Sequence, residues 1–121
     1  MENITPIRIQ RSRKHKQESP NGLPIVYVGR PTKWGNPFKV TDQKGHWFVI
    51  NDFDEPLMFF DEKNEAINFC IESYKDYMLN EIALQTKNII ELKGKNLSCW
   101  CKIGGLCHAD ILLELANKKL N

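Results

Sequence analysis

The chain has 121 residues, 41% of them hydrophobic and 26% charged, which suits one modest core and ordinary globular usage. Collagenous, coiled-coil and wholly disordered chains are excluded. No apolar run approaches the roughly 20 residues of a membrane span, and MENITPIRIQRSRKHKQ lacks the apolar stretch of a signal peptide. The expectation is a cytoplasmic protein with no membrane partner. There the four cysteines (Cys70, Cys99, Cys101, Cys107) read as thiols or metal ligands, not as a disulfide framework.

The net charge of +2 is unevenly spread. Residues 1–20 hold five basic side chains (Arg8, Arg11, Arg13, Lys14, Lys16) against Glu2 and Glu18, while the other 101 residues are near neutral. Residues 1–23 therefore read as a basic lead-in, in which IRIQ offers a short edge strand and SRKHKQESPNG is polar and turn-rich. Residues 24–121 read as a single α/β domain. PIVYVG, 24–29, is a short buried strand and HWFVI, 46–50, a second one closed by the polar turn NDFDE. From about Asp61 to Leu84 the period becomes helical, with Ile67, Cys70, Ile71, Tyr74, Tyr77, Met78 and Ile82 on one stripe. LSCWC, 97–101, is a further strand. A last helix starts near Cys107–His108 and runs to about Lys118, with Asp110 in its first turn, Lys118 and Lys119 in its last, and Ala109, Leu112, Leu113 and Ala116 inward. The fold class is α/β: a small sheet of short strands, one long amphipathic helix and a C-terminal helix after a strand and loop.

Two segments concentrate residues that carry chemistry. In YVGRPTKWGNPF, 27–38, Gly29 and Gly35 permit close backbone approach and Pro31 and Pro37 stiffen the path. Such a loop can hold Arg30 to grip a phosphate or carboxylate, Lys33 as a second charge, Asn36 as a polar contact and Trp34 as a stacking surface. The plainer alternative is a rigid turn whose Trp34 and Phe38 cap the core while Arg30 meets an acidic neighbour.

The second segment, SCWCKIGGLCHAD, 98–110, places three cysteines and a histidine within ten residues. Zinc at Cys99, Cys101, Cys107 and His108 is one reading. The spacing argues against it, because C-x-C followed by an adjacent Cys-His pair lacks the usual knuckles and neighbouring residues rarely face one ion. A pocket without a metal or other cofactor is the preferred reading. A thiol at a helix N-terminus feels the helix's partial positive charge, and Gly104-Gly105 would let a ligand approach the backbone. Cys107 then stands as nucleophile, His108 as acid/base, and Asp110 as general base or as the group orienting His108. Trp100 offers a stacking surface beside Cys99 and Cys101. The plainer alternative for Cys99 and Cys101 is a pair of small apolar residues on the buried face of a strand. Cys70 is core, and His15 and His46 are surface.

The paired motifs YVGRPTKWGNPF and LKGKNLSCWCKIGGLCHADILLELAN, with RIQRSR at 8–13, resemble a family of small proteins of unknown function common in bacteriophages and also found in bacteria. The C-terminal motif is also similar to the ending of a second uncharacterised α/β family that places Cys-His at a helix start after a cysteine-bearing strand. The resemblance implies a shared pocket and carries over Arg30, Lys33, Trp34, Asn36, Cys99, Trp100, Cys101, Cys107, His108 and Asp110. The leading functional expectation is a small hydrolase or transferase acting on a nucleotide or related phosphorylated or glycosidic substrate. The alternatives are a non-catalytic module that binds a nucleotide signal or a host protein, and a nucleic-acid binder using the basic N-terminal arm.

Overall fold

The computed structural model describes residues 4–13, 18–101, 105 and 107–118. Lys14, His15, Lys16, Gly104 and Lys119, which the sequence singles out, lie outside them. Along the chain run β1 (Arg8–Gln10), β2 (Ile25–Tyr27), β3 (Lys39–Gln43), β4 (His46–Ile50), β5 (Pro56–Phe60), α1 (Lys63–Ala83), a short 3-10 helix (Ile89–Leu92), β6 (Asn96–Cys99) and α2 (His108–Asn117). The fold is α/β, with two three-stranded sheets, one long helix and one C-terminal helix. None of its helices, among the described residues, is long and apolar enough to cross a membrane. The chain divides into two compact units, one made of Met1–Gly35 with Lys87–Asn121, the other of Asn36–Thr86.

The first unit carries a parallel sheet in the order β1-β6-β2. Arg8 lies opposite Leu97 and Gln10 opposite Cys99 on one side of β6, with Ile25 opposite Asn96 and Tyr27 opposite Ser98 on the other. Every residue of β6 is buried, as a central parallel strand should be. Its polar Asn96 is tolerated because its amide pairs reciprocally with that of Asn21 at 2.8 and 3.1 Å and accepts the Ile7 N–H at 3.1 Å. The polar lead-in is thereby part of the fold, since Ser19 and Asn21 satisfy the polar end of a buried strand. The helix α2 packs on β6, β1 and the 3-10 helix, burying His108, Ala109, Leu112 and Ala116. Leu113, expected in that stripe, is half-buried.

The second unit is an antiparallel meander, β3-β4-β5, with α1 against it. The turn from β3 to β4 has two residues, Lys44 and Gly45, at φ 52° and 83°, the pair of positive angles that matches a hairpin's twist. Val49, Ala66 and Cys70 form the core, with Phe38, Val40, Trp47, Phe60 and Phe69 packed around them. Cys70 is core as expected, and its thiol donates to the Phe38 carbonyl at 3.2 Å. The fully sequestered stripe of α1 is narrower than its pattern suggested: Ala66, Cys70, Tyr74 and Met78, each four residues on.

Candidate functional site

In open parallel sheets ligands bind beyond the carboxyl ends of the strands. At that edge of the first unit β6 ends at Cys99 and Val28 and Gly29 follow β2. The α2 N-terminus returns to the same edge. Alternation along β6 turns Cys99 toward α2, where its Sγ lies 3.1 Å from that of Cys107. The Sγ atoms of Cys99, Cys101 and Cys107 all lie within 4.8 Å of one another. Cys99 and Cys107 are 1% and 3% exposed, whereas Cys101 is only half-buried.

Cys107 is the N-cap of α2, and its sulfur accepts the Ala109 N–H at 3.5 Å. The Cys101 and Cys99 thiols donate to it, His108 and the Ala109 N–H assist, and together they hold Cys107 far below the usual thiol range although burial opposes this. Cys99 and Cys101 are pushed the other way. Cys99 rises through its bonds to Cys101 and Cys107 and through burial, and Cys101 through its bond to Cys107. Within the cluster Cys107 is the sulfur most favoured as thiolate, and Cys99 and Cys101 are favoured as thiols. Its counter-ion is Arg8. Burial works against that guanidinium, but the Cys107 sulfur and Asp110 more than hold its charge. Arg8 also donates through Nη2 to the Gly105 carbonyl at 2.9 Å and lies 3.4 Å from Asp110 Oδ2.

His108 points its Nε2 at the Val28 carbonyl, 2.8 Å away, and its Nδ1 lies 3.7 Å from the Cys107 sulfur. Asp110 contacts Arg8, and the Val28 carbonyl holds His108 Nε2.

Beside the thiols lies an exposed stack. Trp100 is 48% exposed; the Arg11 guanidinium sits 4.5 Å from the Tyr27 ring centre and 5.6 Å from that of Trp100, and Arg13 sits 5.8 Å from Trp100. Among the described residues neither arginine pairs with a carboxylate.

The 29–35 loop is tied by local hydrogen bonds. Thr32 donates to the Gly29 carbonyl from both its N–H and its hydroxyl, Gly35 N–H reaches Thr32, and the Arg30-Pro31 bond is cis. The Tyr27 side chain folds back over Gly29 to donate to the Arg30 carbonyl at 2.7 Å, and a Cβ at Gly29 would run into its ring. The Arg30 side chain is exposed. Lys33 pairs with Glu91 at 2.7 Å and lies over Trp34, which is buried. Asn36 belongs to the second unit, where its Oδ1 accepts the Phe38 N–H and its amide faces Cys70.

The structure therefore brings together Cys99, Cys101, Cys107, His108 and Asp110. It adds Arg8, Arg11 and Tyr27, which motif density alone did not mark. For the two arginines the signal was strand alternation, which in RIQR places Arg8 and Arg11 on opposite faces. No curated protein and no solved structure matches the chain significantly. Residues 9–118 match the family described as Domain of unknown function (DUF4326), and the chain belongs to that family.

Proposed function

We propose that the protein is a small cytoplasmic enzyme acting on a nucleotide or related phosphorylated compound at the carboxyl edge of its parallel sheet. The observation that carries this reading is the Cys107 sulfur, gathered among Cys99, Cys101, Arg8 and the first N–H groups of α2. A thiolate so held is a nucleophile for hydrolysis or transfer at a glycosidic or phosphate bond. The Arg11–Trp100–Arg13 stack supports the choice of substrate class, since a planar base and a phosphate ask for an aromatic face and unpaired cations. His108, fixed by Val28, presents Nδ1 beside the sulfur as the acid/base group, and Asp110 contacts Arg8. The test is incubation of the purified protein with nucleoside mono-, di- and triphosphates, nucleotide sugars and dinucleotides, with products read by mass spectrometry. Cys107→Ser should abolish turnover and Trp100→Ala should raise KM. Undiminished turnover by Cys107→Ser, or no product from any compound, sinks the assignment.

A second reading is favoured by one distance. Three sulfurs within 4.8 Å could hold a metal ion, and zinc suits a thiolate set with an open fourth position. His108 holds its Nε2 on the Val28 carbonyl and turns Nδ1 toward Cys107, the arrangement a fourth imidazole ligand takes. The native mass compared with the denatured mass separates the two readings: one zinc of difference moves Cys107 from nucleophile to ligand.

A further inference from the structure

We propose that Cys99, Cys101 and Cys107 form a redox centre that reduces hydroperoxides and ends as a Cys99–Cys107 disulfide. The inference uses the sulfurs of the site above but not the reaction assigned to them there, and it stands or falls apart from nucleotide turnover. Three features carry it. All three sulfurs lie within 4.8 Å of one another, so each has the other two as near neighbours for exchange. Their exposure is graded, with Cys101 half-buried and Cys99 and Cys107 almost fully buried. And the two buried sulfurs are in direct contact at 3.1 Å. Cys70, in the second unit with its thiol donating to Phe38, is an internal control.

The sequence of steps follows from that order. Cys101 is the sulfur a dissolved oxidant meets first. Cys101 hands its proton to the Cys107 sulfur and attacks the O–O bond of a hydroperoxide; the attacked oxygen stays as a sulfenic acid, and the other leaves as alkoxide and takes that proton from Cys107 to become an alcohol. The Cys107 thiolate then displaces hydroxide from that sulfenic sulfur, forming a Cys101–Cys107 disulfide, and the hydroxide takes a proton to become water. Finally Cys99 gives up its proton and attacks the Cys107 sulfur beside it, and Cys101 leaves as thiolate and is protonated. The net change is two thiols oxidised and one hydroperoxide reduced to alcohol and water. The disulfide ends on the two least accessible sulfurs, and Cys101 is free again. A dithiol reductant returns the centre to its starting state. Arg8, beside the Cys107 sulfur, offsets the negative charge that passes among the three atoms.

The test uses the full chain, reduced and freed of reductant, treated with one equivalent of hydrogen peroxide. Titratable thiols should fall from four to two, and dithiothreitol should restore them. Trypsin separates the segment 96–102, which holds Cys99 and Cys101, from 103–118, which holds Cys107, and a non-reduced digest should show the two joined. In Cys101→Ser the joined peptide should still form, but about tenfold more slowly. In Cys99→Ser oxidation should stop at the Cys101–Cys107 bond, and Cys70→Ser should behave as wild type. Circular dichroism checks that each variant is folded, and Cys99→Ala replaces Cys99→Ser if the latter is not. Four thiols surviving the peroxide, a bond involving Cys70, or thiols that react only after a chelator has removed a metal would each overturn the proposal.

Discussion

A carbonyl oxygen only accepts, so the 2.8 Å contact with Val28 places a proton on His108 Nε2 and turns Nδ1 toward Cys107. His108→Ala removes the donor from that buried partner and should cost about 1–3 kcal/mol in denaturant titration. The same variant should also lower turnover, whereas a residue with only a packing role would change stability alone. Cys107 yields a pH prediction with a definite sign. Its thiol is held far below the unfolded value, chiefly by donation from Cys101 and Cys99, so the unfolded chain binds the extra proton at any pH below the ordinary thiol range of about 8.5. Its contribution to stability is then complete above that range and is lost as the pH falls toward the folded value. Cys107→Ser should flatten the wild-type rise in unfolding free energy with pH, and thiolate absorbance should persist below neutral pH only in the wild type. The cysteines and His108 were legible as a group from their density. Their geometry was not. By spacing alone Cys107 and His108 are rivals for one ion, whereas the turn from β6 into α2 sends the Cys107 sulfur to Cys99 and the imidazole to Val28.

Among the elements, the turn between β3 and β4 offers the plainest test. Gly45 at φ 83° occupies a conformation that a Cβ penalises, so Gly45→Ala should destabilise the hairpin by about 1 kcal/mol. Lys44→Asn, at φ 52°, should raise the thermal midpoint, because asparagine adopts that angle more readily. Elements with a strong apolar rhythm were readable in advance: β2, β4, β6, α1 and α2 lie within a few residues of their expected places, and β1 pairs as the edge strand that IRIQ suggested. Two strands of the meander were not readable, for different reasons. KVTDQ is too polar to look like a strand and is held by its full pairing with β4. PLMFF begins with proline, which suits only the first position or an edge, and its Leu57, Met58 and Phe59 are exposed, so no alternation of burial marks it. The 3-10 helix at Ile89–Leu92 also escaped notice; Asn88 caps it by accepting the Ile90 N–H, a local bond that no periodicity announces.

For the whole molecule, the basic lead-in is built into the fold. Charge alone made it an arm for polyanions. The structure pairs Arg8–Gln10 with the central strand and sets Arg8 beside Cys107. Deleting residues 1–13 should therefore lower the thermal midpoint and weaken the thiolate signal, both read on the purified variant. A detachable arm would leave both unchanged. The order of pairing has a consequence for how the protein is born. Both flanking strands of the parallel sheet, complete by Tyr27, pair only with β6, which ends at Cys99. A ribosome thus releases β1 and β2 long before their shared partner exists, while the meander and α1, finished by Ala83, need nothing made later in order to pair. On the growing chain the inserted unit can take shape first. The thiol cluster, whose last sulfur is at Cys107, assembles only once that residue has been made, so a product stalled or cut between Ala83 and Cys107 carries the meander and no reactive centre.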